Sequence, residues 1–242
     1  MNESVPANHS VTDAPLIRME NLAKVYPGQG FVTHALSGIY MTVKKGDFAA
    51  IEGPSGCGKS TLLSLLGLLD RPTSGLFHFK GESVDRMTMR ERARQRNRHI
   101  GFIFQNFNLI PHLTVFENVA VPLTYADHSG KAIRQMVHGA LDSVGMAHYP
   151  NHFPPQLSGG QQQRVAVARA MVGQPELLLA DEPTGNLDSH HGEMVMRLLR
   201  EKHRQGTTIV MVTHNPNYAR YGNAVYQMQD GRFVDELGGP NL

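Results

Sequence analysis

The stretch "FAAIEGPSGCGKSTLLSLLGLL", Phe48 to Leu69, decides how this chain folds. Phe48 to Glu52 is a short apolar run and predicts a strand. Gly53 to Ser60 matches G-x-x-x-x-G-K-S. Ser60 to Leu69 is apolar on nearly all sides, the pattern of a buried helix. A strand feeding a glycine loop that opens a helix is a phosphate-holding arrangement. The segment Gly53, Pro54, Ser55, Gly56, Cys57, Gly58, Lys59, Ser60 and Thr61 is therefore expected to wrap a nucleotide's phosphates. Its glycines let the backbone approach closely and its N–H groups form a nest. The helix opening adds about half a positive charge. Lys59 supplies a full charge to the β- and γ-phosphates. The Ser60 hydroxyl is placed to ligate Mg²⁺ and Thr61 to reach the α-phosphate.

Working outward, Leu16 to Tyr26 and Phe31 to Val43 read as strands around a turn at Pro27, Gly28 and Gly30. Leu76 to Phe79 is a short strand. Glu82 to about Arg164 reads as a mostly helical insertion, although Ile100 to Gln105 within it is strand-like. Strands then return at Leu177–Ala180, Thr207–Thr213, Ala224–Met228 and Arg232–Asp235, with Asp230-Gly231 as a hairpin turn. Alternating strands and helices predict an α/β fold, a parallel-sheet core with helices on both faces and an antiparallel β region at its N-terminal end. The expected division is a disordered tail over 1–15, a core of 16–81 and 165–242, and a helical subdomain over 82–164.

Composition narrows the function. The chain has 242 residues and a net charge of +2, so bulk charge favours no nucleic-acid partner. The arginines between Arg86 and Arg98 read as a solvated face, since no aromatics interleave with them. No apolar run approaches the roughly 18 residues that span a bilayer. The histidines are scattered, and Pro150 interrupts the one close pair, His148 and His152, which argues against zinc. Cys57 is the only cysteine. Its place in the phosphate loop predicts sensitivity to thiol reagents, with bound nucleotide protecting it.

Hydrolysis needs more than a cradle. "LLLADEP", Leu177 to Pro183, ends an apolar strand in two carboxylates. Asp181 is a candidate Mg²⁺ contact and Glu182 a candidate acceptor of a proton from water. Gln105, in "FIFQNFNL", follows a strand and can reach both metal and water. His214, in "IVMVTHNP", also ends a strand, at the edge of a parallel sheet where ligands bind. A second glycine pair stands at "LSGGQ", Leu157 to Gln161, with Ser158 as a helix N-cap. A capped helix accounts for Ser158. It does not account for Gly159 and Gly160, which cost backbone entropy there.

Taken in order, these motifs resemble the ATP-binding subunit of an ABC transporter, from about Leu16 to Asp235: an aromatic at Tyr26, the phosphate loop, Gln105, LSGGQ, "LLLADEP", "GNLD" at Gly185 to Asp188, and His214. The resemblance implies a P-loop NTPase fold and hydrolysis of ATP with Mg²⁺. It implies two copies packed head to tail, with Ser158, Gly159, Gly160 and Gln161 of one closing on the ATP held by the other. Tyr26 would stack on adenine, Glu182 would be the general base, and His214 would hold water and γ-phosphate in line. Gln105 would join Ser60 and Asp181 at the metal, and Asp188 would link the two sites. The loop from Gln105 to Asn118 would face a transmembrane permease, placing the subunit peripherally on the cytoplasmic side of the bacterial inner membrane. "IGFIFQNFNLIPHLTVFENVAVPL" and "DRPTSG" are most similar to the macrolide-exporter, lipoprotein-releasing and cell-division subgroup. Amino-acid importer subunits have similar loops. Non-transport relatives, which typically carry a coiled-coil insertion, zinc modules or tandem halves, fit less well.

Overall fold

The computed structural model describes residues 14–28, 32–126 and 128–238, with side chains as far as 234. The tail expected over 1–15 falls outside the described residues up to position 13, as do Gly30 and Phe31.

The chain opens with β1 (Ile17–Pro27) and β2 (Val32–Val43), then β3 (Phe48–Glu52), which leads into α1 (Lys59–Leu66). Next come β4 (Ser74–Phe79), the short β5 (Glu82–Ser83), α2 (Met89–His99) and β6 (Ile100–Ile103). A helical stretch follows with α3 (Val115–Ala120), α4 (Gly130–Ser143) and α5 (Gly159–Met171). The chain finishes with β7 (Leu177–Asp181), α6 (Ser189–Arg204), β8 (Thr208–Thr213), α7 (Pro216–Ala219), β9 (Ala224–Gln229) and β10 (Arg232–Gly238). Two sheets form. One is antiparallel, ordered β2-β1-β4-β5, and the other runs β10-β9-β3-β8-β7-β6. In the second, β9, β3, β8, β7 and β6 are parallel, and β10 folds back antiparallel through the Asp230-Gly231 turn.

Period-two alternation explains the layers. Leu177 and Leu179 point into one core, Leu178 and Ala180 into the other. The first core packs α1, through Leu62, Leu63, Leu65 and Leu66, among residues of both sheets, including Ile17, Phe77 and Phe79 of the antiparallel sheet and Ile51, Leu179 and Val212 of the parallel one. That double cover is why α1 is apolar nearly all round. On the other face, Val165 and Val167 of α5 and Val195, Met196 and Leu199 of α6 cover Leu178, Ile209 and Met211. A sheet covered on both faces takes continuous apolar strands, and β8 is buried throughout.

The range 82–164 holds strands as well as helices. The sequence reading placed 82–164 in a helical insertion. Yet β6 lies inside that range and pairs in parallel with β7, from Ile100 opposite Leu177 to Ile103 opposite Ala180. Glu82–Ser83 belongs to the antiparallel sheet through β4. β6 runs close under α5: a Cβ at Gly101 would sit 2.2 Å from the Ala170 carbonyl oxygen. Backbone cannot yield as a side chain can. Gly101→Ala is therefore expected to destabilise the fold by about 2–4 kcal/mol, read as a lowered urea midpoint.

Candidate functional site

Packing and backbone conformation shape the loop between β3 and α1. Gly56 and Gly58 have φ of 81° and 108°, the left-handed region that suits glycine. A Cβ at Gly53 would lie 2.2 Å from the Met228 carbonyl oxygen, and one at Gly58 would lie 2.6 Å from that of Ala35. The turn between β9 and β10 braces the loop from outside. Gly231 N–H donates to the Cys57 carbonyl at 2.9 Å, and the Gly231 carbonyl accepts from Ser37 N–H at 2.9 Å. Lys59 is buried, with 7% exposure. Its ammonium donates to the carbonyls of Gly53 at 2.7 Å and Pro54 at 2.8 Å. A cation served by neutral acceptors at the mouth of a helix is suited to receive an anion.

Cys57 departs from expectation. Its thiol is buried within the core that holds α1, and Cys57 does not line the cleft that the loop borders. A buried thiol is shielded from alkylation whether or not nucleotide is present, so the expected reagent sensitivity is not supported.

Opposite the loop stand the strand-end residues. Glu52 pairs with Thr213 and Asp181 with Val212, so β3, β7 and β8 end at one edge. Asp181 closes β7. Burial, then the neighbouring Glu182, push its carboxyl above the ordinary value, while Lys59 opposes them. Glu182 follows with φ 45°, an unfavourable conformation for a non-glycine residue, fixed by its N–H donating to the Val212 carbonyl at 3.0 Å. Its Oε2 lies 2.9 Å from His214 Nδ1 and accepts from His214 N–H at 3.3 Å. The Glu182 carboxylate is largely buried, whereas His214 is exposed. Ser55, Gly56, Gly58, Lys59, Ser60, Thr61, Gln105, Asp181, Glu182 and His214 line one cleft of about 520 Å³. Residues as far apart in sequence as Ser55 and His214 thus meet in one cleft.

The donor set fits Mg²⁺. Ser60, Gln105 and Asp181 offer hard oxygen ligands, and no group of three or more His, Cys, Asp or Glu suited to a metal occurs among the described residues. Mg²⁺ is commonly held by one or two carboxylates together with substrate phosphates.

Tyr26, Ser158, Gly159, Gly160, Gln161 and Asp188 do not line this cleft among the described residues. Tyr26 is partly exposed on β1. α5 begins at Gly159, directly after its Ser158 N-cap. A reciprocal cap holds it: Ser158 Oγ accepts from Gln161 N–H at 3.3 Å, and Gln161 Oε1 accepts from Ser158 N–H at 2.8 Å. The two glycines differ. A Cβ at Gly160 would meet the His191 ring at 2.3 Å, whereas one at Gly159 would make only ordinary contacts of 3.7 Å and more. Gly160 has a reason inside the chain; Gly159 has none among the described residues. Asp188 caps α6, accepting from His191 N–H at 2.9 Å and lying 2.7 Å from that ring's Nδ1.

Three side chains escaped the sequence reading. Asn186 donates to the Gln105 carbonyl at 3.0 Å and to Asn106 Oδ1 at 2.8 Å. Arg169, from α5, grips the same loop through the carbonyls of Phe107 and Asn108, two residues with positive φ. Burial lowers its guanidinium from the ordinary value. Asn118 is fully buried and bonds the Ile110 N–H at 2.7 Å and three carbonyls, closing the loop after Gln105.

Comparison with known proteins agrees with this geometry. Residues 36–185 match the family model described as ABC transporter. An uncharacterized ABC transporter ATP-binding protein of Thermotoga maritima is 46% identical over 217 residues, 90% of this chain and 93% of that protein. The macrolide export ATP-binding/permease protein MacB of Syntrophobacter fumaroxidans is 45% identical over 92% of this chain, which spans only 32% of MacB. A solved dimeric ATP-binding cassette in a post-hydrolysis state, bound to ADP and Pi, superposes with a TM-score of 0.86 at 39% identity, covering 93% of this chain and all of that one. From motif order, cleft and kinship together, the chain belongs to the ABC transporter family.

Proposed function

We propose that this ABC-family ATPase works as a head-to-tail pair of identical subunits around two MgATP and energises a membrane permease for export. The observation that carries the reading is the split of its motifs. One group converges on the Lys59 cleft, while Ser158 to Gln161 lie outside it, and among the described residues nothing packs closely enough at Gly159 to require a glycine. A glycine left open on a helix's first turn suits close approach by a partner's phosphate.

Within each pocket Lys59 and the loop amides bind the triphosphate. Glu182 takes the proton of the attacking water on its carboxylate. His214, tied to Oε2 of that group, keeps the carboxylate aimed and meets the γ-phosphate. Mg²⁺, when bound through Ser60, Gln105 and Asp181, neutralises phosphate charge. Tyr26 stacks on adenine, and Asp188 joins the two sites. The loop from Gln105 to Asn118, held by Asn186 and Arg169, carries closure to the permease. No helix among the described residues is long and apolar enough to cross a membrane. A permease partner and a peripheral place at the cytoplasmic face of the inner membrane complete this reading. Likeness to MacB supports export as the direction.

Mixing two inactive variants tests the pair. Lys59→Ala removes the phosphate contact and Ser158→Arg blocks the partner's. Each alone is expected to lose about 100-fold or more in turnover, with Ser158→Arg still binding ATP. A mixture forms heterodimers with one complete pocket and recovers measurable phosphate release. Full turnover by Ser158→Arg as a dilute monomer, or no recovery on mixing, counts against the proposal.

A further inference from the structure

We propose that Lys24 and Asp70 clamp the Tyr26 ring and so act as positioning residues for the nucleobase. The inference rests on reading Tyr26 as the stacking surface and goes beyond it. Lys24 and Tyr26 are two apart on β1, so strand alternation puts them on one side. The Lys24 ammonium sits 4.7 Å from the centre of the Tyr26 ring. It also lies 2.7 Å from Asp70 Oδ2 and donates to the Arg71 carbonyl at 2.8 Å. The Tyr26 hydroxyl donates to the same Oδ2 at 3.0 Å. Arg71 N–H holds the other carboxylate oxygen, Oδ1, at 2.7 Å. Ammonium and phenol therefore converge on one oxygen whose own orientation is fixed.

The carboxylate belongs to the segment that follows α1, and that segment is stitched to β1. Thr73 N–H donates to the Ala23 carbonyl at 2.8 Å, and Val25 N–H donates to Thr73 Oγ1 at 2.9 Å. Titration properties agree with the geometry. Burial alone would raise the Asp70 carboxyl, yet Lys24, the Arg71 amide and the Tyr26 hydroxyl bring it below its ordinary value. Burial, then Asp70, raise the Tyr26 phenol, and the Thr61 hydroxyl opposes them.

A ring has two faces. With a cation over one, a purine stacks on the other, and the ring's electrons are engaged from both sides. The hydroxyl tether stops the ring from turning about its χ angles, so less ordering remains for binding to impose. α1 begins at the phosphate contacts Lys59, Ser60 and Thr61, and its exit carries Asp70. One rigid element thus sets the spacing between phosphate and base contacts.

The test compares ATP with inorganic tripolyphosphate, which engages the phosphate loop but has no base. In the full chain, Tyr26→Ala is expected to raise KM for ATP about tenfold. Tyr26→Phe and Asp70→Asn are each expected to raise it about threefold to tenfold, and Lys24→Met similarly. In all four, kcat changes less than about twofold and inhibition by tripolyphosphate is unchanged. The Tyr26→Phe/Asp70→Asn double variant is no worse than the poorer single one. Unchanged KM in Tyr26→Ala refutes stacking itself. A raised KM there with normal KM in Tyr26→Phe and Asp70→Asn leaves stacking intact and overturns the clamp. Weakened tripolyphosphate inhibition, or full additivity in the double variant, also overturns it, since either marks a merely structural brace. Should Asp70→Asn fail to fold, Tyr26→Phe, which keeps the ring and its packing, decides alone.

Discussion

Glu182→Gln is expected to lower kcat for ATP hydrolysis by about 10²–10⁴-fold, the usual contribution of a general base, which corresponds to roughly 3–5 kcal/mol of barrier. The substitution is nearly isosteric. An amide oxygen can still accept from His214 N–H, and the strained backbone keeps its own bond to the Val212 carbonyl. What the amide cannot do is take a proton. ATP binding should survive, because the contacts that hold Lys59 come from the Gly53 and Pro54 carbonyls rather than from Glu182. Phosphate release measured against nucleotide affinity separates the two effects. With hydrolysis slowed and binding intact, the closed pair should accumulate with ATP and elute as a dimer. Unchanged turnover would remove Glu182 from its assigned role and leave the proton without an acceptor.

Asp181→Asn is expected to move activity and stability in opposite directions. Burial and the adjacent Glu182 raise the Asp181 carboxyl, so the folded chain holds that proton more tightly than the unfolded one. The sign follows from linkage: stability from this group is greatest when both states are protonated and declines as pH rises through the interval between the two values. At neutral pH the fold carries a poorly solvated charge next to another. Asparagine removes that charge while keeping the shape. A gain of about 1 kcal/mol, or about 2–4 °C in melting temperature, is expected without nucleotide. Turnover should nevertheless fall by about 10²-fold or more, because the oxygen ligand that the proposed mechanism assigns to Mg²⁺ loses its charge. Calorimetry at several pH values checks the first half, since the advantage of the variant should vanish on acidification. A variant less stable than the parent at neutral pH would show that the carboxylate is better compensated than its surroundings suggest.

Much of the fold was legible because burial leaves a periodic imprint. β3, β7 and β8 read as continuous apolar runs since helices cover both faces of their sheet. α1 read as buried because two sheets enclose it. β6 was harder. Its few residues follow a highly charged helix directly, and only pairing with Leu177 to Ala180 reveals them as part of the sheet. The site was legible where chemistry fixes residue type: Lys59, Asp181, Glu182 and His214 end strands or open a helix, and the cleft gathers them. Arg169 and Asn186 were not, for a physical reason. A single polar residue on a helix or turn looks solvated in sequence, and its partners here are main-chain carbonyls that carry no residue signature. The thiol of Cys57 was misread because loop membership does not say which way a side chain turns.

The brace from Gly231 to Cys57 has a bearing on biosynthesis. The phosphate loop emerges early from the ribosome, but the amide that secures its carbonyl belongs to a hairpin translated far later. Until that hairpin folds back, the loop lacks this one backbone prop, so its final shape depends on a part of the sheet made long after it.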